Sequence, residues 1–122
     1  MIAGSGDHVM AHAFAGDFSS RCIRRILAEN PHHISHFQAW ARAVYPAVRG
    51  RIAALEGRIL HLWHGETENR RYVERNREIA ALGFNPQRDL VRDENGLWSW
   101  QRKRQRLSDW AMQYFAHRKE DG

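Results

Sequence analysis

The sequence is poor in cysteine and proline and contains no long hydrophobic run. Its 122 residues include one cysteine, Cys22, and three prolines. A single cysteine excludes an internal disulfide and a zinc site made of several cysteines, and it fits the reducing cytoplasm. Because no run of about 18 apolar residues is present, and no basic segment followed by an apolar stretch opens the chain, neither a membrane-spanning helix nor a secretory signal is predicted. We therefore expect a soluble cytoplasmic protein.

Charge and length set the next constraints. Lys and Arg number 19 against 14 Asp and Glu, which gives a formal net charge of +5. Such a balance is compatible with nucleic acid, an anionic sugar nucleotide or an acidic membrane, and it does not choose among them. The length predicts a single domain over residues 1–122 with a modest core, and it is short for a complete two-substrate enzyme.

Helical patterns dominate the chain. Apolar residues recur at helical spacing, or small residues cluster without proline, in five segments. These are residues 7–15, 20–29, 34–44, 67–82 and 103–117. Asp7 is a candidate N-cap of the first segment, and Gly16 and Gly83 are stop signals. Asn30-Pro31 and Pro46 are expected to interrupt the pattern.

A β-hairpin is predicted between the third and fourth helices. Two short β-compatible runs, 50–55 and 58–63, lie on either side of Glu56-Gly57, which is a two-residue turn signal. The expected fold class is therefore α+β, mainly α, with four to five helices around this short β-hairpin.

Two histidines three residues apart, His61 and His64, are candidate metal ligands at the end of an apolar run. On a straight strand they would point to opposite faces, so they can share an ion only if the chain bends, as Gly65 would allow. The alternative is that His61 packs in the core and His64 caps the next helix. Two imidazoles also leave a divalent ion short of its usual four to six ligands, so further ligands are expected from elsewhere.

The segment Gly4-Ser5-Gly6-Asp7 brings a carboxylate to the start of the first helix. One interpretation makes Asp7 a helix N-cap, which would stabilise the helix by about 1 kcal/mol and would give the residue no catalytic role. The other uses the two glycines to let a substrate approach the backbone, where the carboxylate accepts a proton from a hydroxyl nucleophile.

Other polar and aromatic residues have two readings each. His32, His33 and His36 look like another metal cluster, but they follow Pro31 at a helix start without accompanying carboxylates and are interpreted as surface residues. Trp98 and Trp100 flank Ser99 and would either stack on a sugar ring or form the edge of a small core. Arg70 and Arg71 open the helix after the histidine pair, within reach of an anionic group bound at a metal there. The basic run 102–106 is read as a solvated helix face.

Four motifs in order resemble the C-terminal half of GT-A-type glycosyltransferases, of the family-2-like and galactosyltransferase-like kind, over nearly the whole chain. They are Gly4-Ser5-Gly6-Asp7-His8-Val9-Met10-Ala11, His61-Leu62-Trp63-His64-Gly65, Arg71-Tyr72 with Arg75, and Gly96-Leu97-Trp98-Ser99-Trp100. The resemblance implies a metal-dependent transfer of sugar from a nucleotide-sugar donor to an acceptor hydroxyl, such as that of a glycan. It makes Asp7 the base, surrounded by the acceptor-binding residues Gly4, Ser5, Gly6 and His8.

The resemblance makes His64, joined by His61, a ligand of Mn²⁺ or Mg²⁺. In such an enzyme Arg70 and Arg71, which follow the histidine pair, would meet the donor phosphates, and Trp63 and Trp98 would stack on sugar. Members of this superfamily bind the nucleotide on an N-terminal Rossmann-like half with an Asp-x-Asp motif, and this sequence contains neither. We therefore expect a partial enzyme that is inactive alone, with exposed apolar surface where the missing half would pack and a tendency to self-associate.

Two alternatives belong to other classes. A small basic helical module would bind nucleic acid or a protein partner through Arg21, Arg24, Arg25 and the run 102–106. It accounts for the positive charge but not for Asp7 or the histidine pair, and acids are interleaved with the bases in the fourth helix, so nucleic acid is the less expected partner. The third reading is an inert structural fragment.

Overall fold

A computed structural model describes residues 5–60, 66, 68–101 and 104–119. Over these residues the chain is mainly helical with one small antiparallel sheet, as the sequence predicts. The helices are α1 (Gly6–Ala15), α2 (Arg21–Ile26), α3 (Pro31–Val48), α4 (Glu74–Ala81), α5 (Pro86–Asp89) and α6 (Gln105–His117), and the strands are β1 (Leu90–Arg92) and β2 (Trp98–Trp100). A 3₁₀ turn, Glu68–Arg70, precedes α4. No helix in the described part of the chain is long and apolar enough to cross a membrane.

The first three helices pack around one hydrophobic cluster. Its buried members come from α1, from α2 and the turn after it, and from α3. They are Val9, Ala13, Ile23, Leu27, Phe37 and Ala41. Small residues on α1 allow this helix to lie close against α3, because Ala13 and Ala41 are both fully buried.

A second hydrophobic cluster holds the C-terminal elements together. Ile79 of α4, Phe84, and Leu107 and Tyr114 of α6 are buried there. Leu90 and Trp100, at the start of β1 and the end of β2, pack against this cluster. The sheet therefore packs against the second cluster at one end, through the cross-strand pair Leu90 and Trp100.

Buried polar groups connect the two halves. Asn30 is the N-cap of α3, where its side-chain oxygen accepts hydrogen bonds from the backbone N–H groups of His32 and His33. The same side chain donates to the carbonyl of Phe84, 2.9 Å away. Asn30 thus satisfies backbone groups on both sides of the junction, which is where a buried amide contributes most.

The predicted hairpin at 50–55 and 58–63 is wrong in position. Residues 51–60 have no regular secondary structure and are exposed throughout, with Leu55 95% exposed, and 61–63 lie outside the described residues. A β-compatible run needs a surface to cover its apolar face, and the described part of the chain offers none here. The sheet forms instead where Asp93-Glu94-Asn95-Gly96 makes the turn, with Leu90 opposite Trp100 and Arg92 opposite Trp98.

Several predicted helix boundaries also change. The third helix begins at Pro31 rather than near 34, and it runs past Pro46 to Val48 before Arg49 adopts a left-handed conformation. Pro46 removes one hydrogen bond near the end of the helix, where the loss is tolerated. The predicted helix 67–82 is interrupted at Arg71, whose φ of 45° is left-handed, so the α-helix is confined to Glu74–Ala81.

Candidate functional site

A cavity of about 570 Å³ opens between the first hydrophobic cluster and the sheet. Its size is within the range of small-molecule sites. Its walls come from α1, α3, the start of α5 and both strands. The lining residues are Gly6, Asp7, Val9, Met10, Leu27, His33, His36, Phe37, Trp40, Phe84, Pro86, Leu90, Arg92 and Trp98.

Asp7 lies on the rim of this cavity in the first turn of α1. The prediction that Asp7 is the N-cap is wrong, because Gly6 is the first helical residue and Ser5 is the N-cap. A carboxylate in the first turn is favoured by the partial positive charge of the helix N-terminus. Asp7 therefore presents an exposed carboxylate beside a largely apolar recess.

Ser5 does not cap α1 with its side chain, because its hydroxyl has another partner. The guanidinium of Arg75, only 2% exposed, donates to Ser5 Oγ at 2.7 Å and to the hydroxyl of Tyr114 at 3.0 Å. Tyr114 in turn donates to the carbonyl of Arg70 at 3.1 Å. These contacts fix the start of α1 against α4 and α6, so they set the position from which Asp7 projects.

Trp98 reaches the same cavity from β2. The turn that places it is closed by Asp93, whose side-chain oxygen accepts from the backbone N–H groups of Asn95 and Leu97. The guanidinium of Arg92 lies 4.9 Å from the centre of the Trp98 ring, a cation–π contact across the register pair of the sheet. The indole is therefore held at the rim while remaining about half exposed.

Two histidines form part of the cavity wall, which corrects their interpretation as surface residues; His32 alone is exposed. His33 packs edge-on against Phe84 with ring centres 5.5 Å apart. Burial, together with the nearby His36, lowers the pKa of His33 to about 4. Burial also lowers the pKa of His36. Both imidazoles are consequently neutral near pH 7, and they offer the cavity hydrogen-bonding groups without charge.

The other predicted site residues have separate locations. Arg70 and Arg71 do not line the cavity; Arg70 donates to the hydroxyl of Tyr72 at 2.8 Å, and Arg71 is ion-paired with Glu78. His61, His64, Trp63 and Gly4 lie outside the described residues.

His8 takes part in a cluster that the sequence reasoning missed. Instead of lining the cavity with Asp7, it meets Cys22, with Nε2 and Sγ 3.1 Å apart, and His12, with the two Nε2 atoms 3.2 Å apart. The signal in the sequence was the spacing of His8 and His12, which are four residues apart on one helix and therefore neighbours on its surface. The approach of Cys22 depends on the packing of α2 and has no local signal.

No family model, curated protein or solved structure matches this chain.

Proposed function

We propose that this chain is the acceptor-binding portion of a metal-dependent glycosyltransferase that transfers a sugar from a nucleotide-sugar donor to an acceptor hydroxyl. The observation that carries the proposal is that Asp7 and Trp98, 91 positions apart in the sequence, line the same cavity. Sugar sites commonly pair an aromatic face with polar groups, because the C–H face of the ring is apolar and its hydroxyls are not.

The cavity supplies the groups that such an acceptor needs. Trp98 and Trp40 provide aromatic surface, and His33 and His36 provide neutral hydrogen-bonding groups. Arg92 holds the indole of Trp98 and adds a cation at the rim. The site therefore favours a neutral or weakly acidic carbohydrate in which one hydroxyl reaches Asp7.

Asp7 acts as the base in the proposed transfer. As the acceptor oxygen forms its bond to the anomeric carbon of the donor sugar, the hydroxyl proton passes to Asp7. The bond from that carbon to the diphosphate breaks, and the diphosphate leaves with the electron pair. Asp7 is exposed in the first turn of α1 and lines the cavity, so its carboxylate is accessible to a bound acceptor hydroxyl.

The metal and the donor belong to parts of the site that the described residues do not contain. The resemblance gives His64, with His61, as ligands of Mn²⁺ or Mg²⁺, which would offset charge on the departing diphosphate. Since the sequence has no Asp-x-Asp, we propose that a separate nucleotide-binding half supplies the donor site.

An exposed apolar stretch supports the need for another half. Ile52, Leu55, Ile59 and Leu60 are between 58% and 95% exposed within ten residues. Isolated surface leucines are ordinary, but a run of large apolar side chains at this exposure is typical of a face that another polypeptide covers.

The basic-module alternative has weaker support. Arg24 on α2 forms an ion pair with Glu29 at 2.8 Å. Farther along the chain, Arg88 and Arg104 both form ion pairs with Asp89. A phosphate-binding face needs cations that are directed to solvent as a group. A steep loss of RNA or DNA affinity with added salt would favour that alternative over ours.

Carbohydrate binding tests the proposal without the donor half. The purified chain is screened on a glycan array, and hits are titrated by calorimetry with Trp98→Ala and Asp7→Asn. We expect Trp98→Ala to weaken binding about tenfold through loss of stacking. Asp7→Asn should bind within about threefold of wild type, because the amide still hydrogen-bonds a hydroxyl.

Leu97→Ala is the matched control, since Leu97 is an exposed neighbour of Trp98 outside the cavity. It should bind as wild type does. Equal loss in Leu97→Ala and Trp98→Ala, or no saturable carbohydrate binding at all, contradicts the proposed site. Robust sugar transfer by this chain alone contradicts the claim that a donor half is missing.

A further inference from the structure

Three potential metal ligands meet where α1 passes the start of α2. His8 and His12 are one helical turn apart on α1, and Cys22 is the second residue of α2. Their ligand atoms all lie within 4.8 Å of one another. His8 and Cys22 are exposed and His12 is partly buried, so an ion could enter from solvent.

The hydrogen-bonding pattern of this His8–His12–Cys22 cluster is incomplete without an ion. His12 Nδ1 lies 2.8 Å from a carboxylate oxygen of Asp17, so in the neutral ring the proton sits on Nδ1 and Nε2 carries a lone pair. The single Nε2–H of His8 then faces both that lone pair, at 3.2 Å, and Cys22 Sγ, at 3.1 Å. One hydrogen cannot satisfy both contacts well, whereas a cation at their centre can use all three lone pairs.

We propose that His8 Nε2, His12 Nε2 and Cys22 Sγ bind a zinc ion, with the fourth position open to solvent. In a tetrahedral zinc site, Zn–N and Zn–S bonds of about 2.0–2.3 Å place neighbouring ligand atoms about 3.3–3.6 Å apart. The observed 3.1 and 3.2 Å separations reach those values with shifts of a few tenths of an ångström. The third pair, His12 Nε2 and Cys22 Sγ, lies within 4.8 Å and must close to a similar separation when the ion binds.

Asp17 and Ser20 contact the other ring nitrogen of His12 and would not bind the ion themselves. The Asp17 carboxylate fixes the ring of His12, with its Nε2 directed at the cluster. Ser20 Oγ lies 3.3 Å from the same Nδ1. A carboxylate behind a ligating histidine is the usual way that a zinc ligand is oriented and made more basic. Asp17 is therefore a positioning residue of this site.

The chemistry of the ligand set distinguishes this ion from the manganese of the proposed transferase. A thiolate and two imidazoles favour a borderline-soft ion such as Zn²⁺ over Mg²⁺ or Mn²⁺, which prefer oxygen. Zinc together with one thiolate and the Asp17 carboxylate is electrically neutral, so the charge is balanced locally. The ion would join α1 to α2 whether or not the chain belongs to a transferase.

Cobalt substitution tests the site directly, because tetrahedral Co²⁺ bound to a thiolate has both visible d–d bands and a ligand-to-metal charge-transfer band. We expect one thiolate-bound Co²⁺ per chain, counted from the charge-transfer band and displaced by Zn²⁺ but not by Mg²⁺. Cys22→Ser should lose the charge-transfer band, and His8→Gln or His12→Gln should weaken binding at least tenfold. Asp17→Asn should weaken affinity about 10–100-fold while the band shape is kept.

Two controls separate this site from other histidines. His32→Gln, an exposed residue outside the cluster, and His64→Ala, in the proposed manganese site, should leave the cobalt–thiolate band unchanged. If a histidine variant fails to fold, the wild-type chain still gives an answer, since Cys22 is its only thiol: Zn²⁺ should slow alkylation of Cys22 at least tenfold and Mg²⁺ should not. Absence of the charge-transfer band, its survival in Cys22→Ser, one ion per two chains, or unprotected alkylation would each overturn the proposal.

Discussion

Arg75 donates a hydrogen bond to Ser5 across 70 positions of sequence, with its Nη2 2.7 Å from the serine Oγ. This contact ties the first turn of α1 to α4, and through Tyr114 to α6. The orientation of Asp7 toward the cavity therefore depends on residues near the other end of the chain.

The first prediction concerns this contact. Ser5→Ala removes the acceptor and leaves a buried guanidinium N–H without it, which we expect to lower the free energy of unfolding by about 1–3 kcal/mol. Ser5→Gly should cost less, because the φ of 63° at this position suits glycine and partly offsets the lost hydrogen bond. Urea unfolding measures both. Ser35→Ala, at an exposed position of α3, is the control and should change stability by less than about 0.5 kcal/mol.

A second prediction concerns Asn30. Asn30→Ala removes the cap of α3 and the donor to the Phe84 carbonyl, so it should cost about 2–4 kcal/mol. Asn30→Ser keeps a side-chain oxygen that can cap α3 and loses the donor to Phe84 without adding a charge beside that carbonyl. It should therefore retain a large part of the stability in thermal or urea unfolding. Equal losses in the two variants would mean that the amide donor alone matters.

The third prediction concerns Asp89, which is 1% exposed between two arginines. Burial alone would raise its pKa, but hydrogen bonds from Arg88 and the backbone of Asn85, with the charge of Arg104, hold the pKa below its usual value. Asp89→Asn breaks both ion pairs and should lower the free energy of unfolding by about 2–4 kcal/mol. The loss is smaller than for a fully buried ion pair, because both arginines remain partly hydrated. Exposed Glu94→Gln is the control and should change stability little.

Stability should also depend on pH through His33. The pKa of His33 is lowered to about 4 in the folded chain, against about 6.5 when unfolded, so the unfolded state binds the proton first as the pH falls. The stabilising contribution of neutral His33 is complete above pH 6.5 and declines between about 6.5 and 4, by up to about 3 kcal/mol. His33→Gln should flatten this slope in urea unfolding measured at pH 7 and pH 5 with chelator present. An unchanged slope would mean that His33 titrates normally.

Local signals in the sequence predicted most of the helices. The small apolar run of α1 and its stop at Gly16 are confirmed, because helix and terminator depend on neighbouring residues. The expectation that Asn30-Pro31 interrupts the helical pattern is wrong, because this pair begins α3, and Asn85-Pro86 begins α5 in the same way. In both, asparagine is the N-cap and proline is the first helical residue, which is a local signal of a helix start.

The parts that sequence could not predict depend on distant contacts. The β-compatible run at 51–60 is exposed and forms no strand. Three-residue strands form instead at Leu90–Arg92 and Trp98–Trp100, because the second cluster covers Leu90 and Trp100 at one end of the pair. The placement of Asp7 and Trp98 in one cavity, and the contact of His8 with Cys22, likewise follow from the packing of elements that are distant in sequence. Asp7 and Trp98 were each predicted as site residues, but nothing local to either indicates their shared cavity.

Chemical-shift mapping of a carbohydrate hit from the array tests the central claim most directly. Our account predicts that the Trp98 indole N–H and the Asp7 backbone N–H shift together and saturate with one dissociation constant, and that in Trp98→Ala the Asp7 signal saturates only at about tenfold higher carbohydrate concentration. Saturable binding that leaves both signals in place, or that moves Trp98 without Asp7, would contradict a common acceptor site in this cavity.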